Sequence, residues 1–266
     1  MNKSLLKATI KANYKLLLII FIVMLLYSAI IVSMYNPDSM DSWQAMLEMF
    51  PEEILRAMNF NIIEPTFLGY IAGYYYGFIM IMFPMIYISI MGQRSIAKYV
   101  DNGSMSFLLA TPNTRIKVAT TQGFYMLMST IVLLVSIALL IGLIGIIMFP
   151  GALTFIPFLL LNINVIGLFV LLSGIAFLAS CVFNEVKHAT LFGAGIPIMF
   201  FVINMLANVS DDLAFFKYFT VFTLFDSSKV LALETSVFID IFILYVTGAL
   251  LYLLGIRMFN KKDLHI

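Results

Sequence analysis

The chain has little of what catalytic or disulfide-bonded proteins are built from. Among its 266 residues there is one cysteine, Cys181, so neither an internal disulfide nor a cysteine metal cluster can form. The two histidines, His188 and His265, lie far apart without ligand spacing, which argues against a zinc site or histidine-based catalysis. Charged residues make up only 11% of the chain, against about a quarter in an ordinary soluble domain. There is no GxxxxGK[ST] segment, so the usual nucleotide-binding P-loop is missing, and neither HExxH nor GxSxG occurs. The chain is therefore expected not to be an enzyme by itself and to bind no metal or cofactor of its own.

What the chain does have is long apolar runs. Apolar residues account for 62% of it, and the mean hydropathy is +1.05. A helix needs about 20 mostly apolar residues to cross the hydrocarbon of a bilayer. Six runs meet that length: residues 16–35, 67–92, 121–149, 155–183, 189–208 and 237–259. They are expected as helices, because an open sheet edge has no hydrogen-bond partners in lipid. The expected fold is thus an all-α integral membrane protein, a single transmembrane domain over residues 1–266. Pro84, Pro157 and Pro197 fall inside runs and predict kinks or helix starts.

The few charges fix an orientation. The N-terminal segment has Lys3, Lys7, Lys11 and Lys15 and no acid, and residues 93–120 have four bases against Asp101. The loop 37–66 has six acids against Arg56, and 209–236 has four acids against two lysines. The tail again is basic, with Arg257, Lys261 and Lys262. By the positive-inside rule both termini and the 93–120 segment are expected in the cytosol.

Several local features carry two readings each. Lysine at every fourth position over residues 1–15 fits an interfacial helix on the inner leaflet, or simply a basic anchor. Gly69, Gly73 and Gly77 stand four apart, as in helices that pack closely, within one subunit or between two. The outer segments around Trp43 and around Ser210–Ser227 combine capping residues with aromatics. They are either re-entrant helices forming an outer gate or connectors resting on lipid. Asp240 lies about one turn inside the last run, near enough to its end to reach water.

The most articulated segment is YVDNGSMSFLLATPNTRIK, residues 99–117. Asp101-Asn102-Gly103 is a turn signal. Ser104 is a candidate cap for a short helix whose Met105, Phe107, Leu108 and Leu109 form an apolar surface. Pro112 ends that helix, and Thr111 as cap with Pro112 as first residue would open the next. An exposed apolar tip usually marks an interaction site, although it could also lie on the membrane surface.

At these residues the chain resembles the permeases of ABC-2 type transporters. The resemblance rests on Asp101, Gly103, Leu108, Leu109, Thr111, Pro112, Thr114 and Arg115, on a closing pattern of Phe259, Lys261, Lys262, Asp263 and Leu264, and on the six-span topology. It implies the transmembrane subunit of a bacterial ABC exporter in the cytoplasmic membrane. Residues 93–120 would be the cytosolic coupling segment, with Asp101, Ser104, Phe107, Leu108, Leu109, Pro112 and Arg115 meeting a separate ATPase subunit and Glu185 adding a smaller contact. Two permeases, identical or paralogous, would pair with two ATPases, which hold ATP and magnesium. The bilayer is the remaining partner, and no nucleic acid is expected. A pathway walled by Phe, Met, Leu and Tyr suits an amphipathic or hydrophobic cargo, peptides or toxins first and drugs or lipids next. The alternative is a self-contained channel or membrane scaffold with no ATPase.

Overall fold

The computed structural model describes residues 1–36, 49–58, 60, 66–111 and 113–263. The expected outer-loop features at Asp41, Ser42, Trp43, Met46 and Leu47 lie outside the described residues. Every regular element is helical among the described residues, and six helices are long and apolar enough to cross a membrane. Each of the six apolar runs falls on one of them.

The first, α1, runs Lys3–Met34, capped by Asn2, whose side chain accepts from Leu5 N. The segment 1–15, expected as a separate interfacial helix, is instead the first half of this continuous helix. No glycine or proline interrupts residues 3–34, and buried Thr9 and Asn13 hold that half against the bundle. A short helix α2, Glu52–Ala57, follows Pro51. Pro51 thus sits at the cap and not in the first turn.

The second crossing has more parts than its apolar run suggests. α3 (Phe67–Tyr74) starts at Thr66, whose hydroxyl accepts from Gly69 N at 3.0 Å. A π turn over Tyr75–Ile79 joins it to α4 (Met80–Ser95), which contains Pro84. Wider π turns occur mostly as single insertions, frequently at functional sites. Here the turn exposes two tyrosines to polar partners in the core. Tyr76 Oη donates to Asn162 Oδ1 at 2.7 Å, and Tyr75 Oη shares a 2.8 Å hydrogen bond with Ser28 Oγ. Short helices α5 (Ala97–Asp101) and α6 (Ser104–Ala110) follow.

α7 (Arg115–Met148), α8 (Phe155–Val182), α9 (Val186–Val209) and α11 (Ser236–Lys261) complete the bundle. Pro157 lies in the first turn of α8 and Pro197 inside α9. α8 is the hub: α4, α7, α9 and α11 all pack on it, with α11 making the most extensive contact, while α1 packs on α7 and α4. At roughly 50 Å each, α1 and α7 exceed the ~30 Å of hydrocarbon, so they tilt or project from it.

Between α9 and α11 the chain dips back into the bundle. Two 3-10 segments, Asp211–Phe219 and Val221–Leu224, lead to α10, Ser227–Leu231. Thr220 Oγ1 donates to Phe200 O at 2.8 Å, well inside α9, and Phe222 is buried. The Val221–Leu224 part thus packs back on α9, while Asp211–Phe219 buries no residue. Asp226 caps α10, its side chain accepting from Ser228 N and Lys229 N. Ser210 is the cap residue of the first 3-10 segment but makes no side-chain cap bond.

Gly69, Gly73 and Gly77 are buried, but Gly77 lies within the π turn, which shifts it off the α-helical face that Gly69 and Gly73 share. Close glycine-mediated approach is seen between α8 and α11. A Cβ on Gly248 would lie 2.8 Å from the Val170 carbonyl carbon, and one on Gly174 would lie 3.1 Å from Gly248 O. Gly167 and Gly255 receive the rings of Tyr245 and Phe177 in the same way. Small residues let membrane helices gain packing contacts that lipid cannot supply.

Gly248→Leu is therefore expected to separate α8 from α11, at a cost on the order of 2–3 kcal/mol or more because backbone is in the way. Gly195→Ala, with nothing within 4 Å of the new Cβ, should be neutral or slightly stabilising. Thermal midpoints of the purified variants in detergent, read by size-exclusion fluorescence, check both.

Candidate functional site

The 93–120 segment is built on a broken helix. Ile96 has φ −127° and ψ −49°, outside helical geometry, so the helix of the second crossing stops at Ser95 and α5 restarts at Ala97. A restart leaves amides without intrahelical acceptors. Ser180 of α8, fully buried, supplies one: its Oγ accepts from Ile96 N at 3.1 Å and Ala97 N at 2.9 Å. Ser95 Oγ lies 3.1 Å from the same oxygen.

α5 ends in the expected turn. Gly103 adopts φ +73°, the left-handed region open to glycine. The cap of α6 differs from expectation: Gly103 is the cap residue and Ser104 the first helical one. Asn102 Oδ1 accepts from Ser104 N at 3.1 Å and from Ser104 Oγ at 2.6 Å. The apolar residues of α6 divide sharply. Met105 is 1% exposed and Phe107 78% exposed, while Leu108 and Leu109 are half-buried against the core. The apolar tip is thus one ring, Phe107, on a helix anchored by its neighbours. Lys98, Asp101 and Lys117 are exposed around it.

The helix after α6 begins later than expected. Pro112 lies outside the described residues. Thr111 does not cap the next helix, because its hydroxyl turns back and donates to Leu108 O at 2.6 Å, closing the end of α6. Thr114 is the cap of α7, accepting from Lys117 N. Arg115 is engaged within the chain: its Nη1 donates to the carbonyl of Lys262, past the end of α11. Lys262 Nζ in turn donates to Cys181 O at 3.2 Å.

The other basic segments gather at the same end. Asn2 N donates to Thr121 Oγ1 at 2.9 Å, and Asn2 Nδ2 to Asn113 Oδ1. Gln122 Nε2 donates to Thr9 Oγ1, and Arg94 Nη1 to Asn13 Oδ1. These bonds form a polar seam joining α1, α4 and α7. Lys3, Lys7, Lys11 and Lys15 are exposed on the outer side of α1. Glu185 is the cap residue of α9 and pairs with His188 at 3.3 Å, charged only when the imidazole is protonated. α9 packs on α5, and Thr190 Oγ1 donates to Gln93 Oε1, so the Glu185 turn stands beside the α5–α6 segment.

At the opposite end, α2, the end of α9, the 3-10 segments and α10 enclose an open cleft of about 1090 Å³. Its charges are mixed: Glu52, Asp211 and Asp226 against Arg56, Lys217 and Lys229. Glu52 and Arg56 are paired at 2.6 Å. No group of His, Cys, Asp and Glu suited to a metal ion occurs among the described residues.

The family model for the ABC-2 family transporter protein matches residues 6–264, nearly the whole chain. The chain belongs to the ABC-2 transporter family. It is therefore a multi-pass membrane protein and the transmembrane subunit of an ABC transporter, a transport subunit that works with a partner ATPase. No curated protein and no solved structure gave a match. Within this ABC-2 subunit, Asp101, Phe107 and Glu185 reach the surface of one end, while Ser104, Leu108, Leu109 and Arg115 are partly turned inward. The residues sequence reasoning missed are Ser180, Thr9 and Asn13. Thr9 and Asn13, four apart between the lysines, carried a visible signal; Ser180 carried none.

Burial holds the Lys262 amine down to about 8, below its ordinary value near 10.5. A folded-state value below the unfolded one means that the unfolded chain binds more protons between these limits. Stability should then rise as pH climbs from about 8 toward 10.5, and fall as pH drops through about 8. Lys262→Met is expected to flatten that slope in thermal midpoints measured across the window.

Proposed function

We propose that this subunit is the permease of an ATP-driven exporter in a bacterial cytoplasmic membrane, with the basic end in the cytosol. The α5–α6 segment docks in a cleft of a separate ATPase, which holds ATP and magnesium, and the Glu185 turn makes a second contact. Two permeases, identical or paralogous, pair with two ATPases. Nucleotide-driven closure of the ATPases shifts the docked segments and switches access across the bundle.

The observation that carries this reading is Phe107. A ring 78% exposed on α6, beside residues packed inward, has the form of an anchor for a partner's pocket. The basic charge of this end supports its cytosolic placement.

The cargo favoured is amphipathic or hydrophobic, a peptide or toxin before a drug or lipid. The interior supports this choice. Buried polar groups of the spans bond one another, as Tyr76 to Asn162 and Tyr252 to Ser173, or carbonyls of their own helix, as Thr130 to Met126 O, and their neighbours are mainly aromatic and aliphatic. A chain of ionisable groups for carrying a bare ion is lacking among the described residues.

The test is coexpression with the cognate ATPase and purification in detergent. Phe107→Asp should keep the permease folded and weaken ATPase capture at least about tenfold, in line with loss of one aromatic anchor. Leu108→Asp should instead lower the thermal midpoint, because Leu108 packs inward. Undiminished capture by Phe107→Asp would reject the docking site. Failure of the wild-type chain to capture the ATPase would reject the exporter reading.

A further inference from the structure

Both ends of the 97–114 segment lead to the same two residues of α8. On its N-terminal side, Ser180 Oγ takes the amides of Ile96 and Ala97 at 3.1 and 2.9 Å. On its C-terminal side, Arg115 bonds the carbonyl of Lys262, and Lys262 Nζ bonds the carbonyl of Cys181 at 3.2 Å. Ser180 and Cys181 are fully buried and stand in the last turn of α8, two residues and one residue before its end at Val182. The last carbonyls of a helix lack intrahelical donors and carry partial negative charge, so a lysine amine is a suitable partner there.

The break at Ile96 gives this convergence its meaning. A continuous helix would carry a push on α5 straight along α4. With Ile96 out of helical geometry, the path along α4 is interrupted at the point where Ser180 takes hold. On its other side the segment runs directly into α7, and the tail adds a route from that corner to the end of α8, through one backbone carbonyl and one amine. α8 in turn touches α4, α7, α9 and α11, so a displacement delivered to its end reaches four other helices.

We propose that Ser180 and Cys181 form the junction through which movement of the 97–114 segment is delivered to α8, the hub of the transmembrane bundle. Ser180 acts as a positioning residue through its hydroxyl, and Cys181 through its carbonyl, reached by Lys262. This rests on the exporter reading, in which that segment is pushed by an ATPase, and it adds where the push is delivered. The side chains themselves meet neither cargo nor nucleotide.

The experiment uses the permease–ATPase complex reconstituted in liposomes, with spin labels on cysteines placed at Met34 and Phe155. These two positions are exposed, at the far ends of α1 and α8 from the junction. Cys181 is buried and does not compete for the label. The distance distribution is recorded without nucleotide and with ATP plus vanadate. The wild-type complex should show a nucleotide-dependent change. Ser180→Ala combined with Lys262→Met should still copurify with the ATPase but lose more than half of that change. Ser180→Thr, which keeps an acceptor hydroxyl, should retain it. A wild-type-sized change in the double variant would overturn the junction while leaving the exporter reading intact. Loss in the double variant with equal loss in Ser180→Thr would also overturn it, since the hydroxyl would then not be the working group. Failure of the wild-type chain to bind the ATPase would overturn the exporter reading and the junction with it.

Discussion

A helix that breaks inside an apolar bundle leaves amides with no water to turn to, and each one left unmet costs a few kcal/mol. At Ile96 the hydroxyl of Ser180 meets two of them, and much of the basic end follows from that contact. It allows α5 to leave the line of α4. It places the exposed Asn102-Gly103 turn and α6 at the end of the bundle, with Met105 buried in it, and it sets the segment against the end of the most enclosed helix. At the π turn it is buried hydroxyls that need partners, and Tyr75 and Tyr76 find Ser28 and Asn162. In the segment before α10, Thr220 Oγ1 accepts from Phe222 N and donates to Phe200 O.

Packing then decides which parts can move as units. α8 and α11 approach at Gly174 and Gly248 closely enough that any side chain there would strike backbone. Such a pair is stiff, and its basic end is where Ser180, Cys181 and Lys262 meet. α1 and α7 form the other long pair, held at the basic end by the seam of Asn2, Thr9, Asn13, Thr121 and Gln122. The two long pairs are linked through α4 and α8. The polar, mixed-charge cleft lies at the opposite end from the 97–114 segment.

Much of this was legible in the residues. Run length and the chemistry of lipid dictate six helices, and the family motifs around Leu108–Arg115 and Phe259–Asp263 agree with the match over residues 6–264. The turn at Asn102-Gly103 and the cap at Asp226 follow from side chains that act on neighbours two or three residues away. Longer-range features were not legible. Met105, Phe107 and Leu108 are equally apolar on paper, and only the tertiary partners determine that Phe107 faces out. Thr111 looked like a cap until its hydroxyl was seen to close the preceding helix. Ser180 is one small polar residue in an apolar run, and nothing local announces that a broken helix leans on it. The glycine seam could have been found, since Gly167 and Gly174, and likewise Gly248 and Gly255, stand seven apart. The denser Gly69–Gly77 pattern is the more conspicuous one, and the π turn within it has no sequence signal.

The central claim is that the Phe107 surface meets an ATPase in the cytosol. It is tested most directly by placing a photo-crosslinking benzophenone side chain at position 107 and irradiating intact cells that express the complex. A crosslinked band containing both the permease and its ATPase is the predicted result. Crosslinking to lipid alone, or labelling of position 107 from outside the cell by an impermeant reagent, would contradict it.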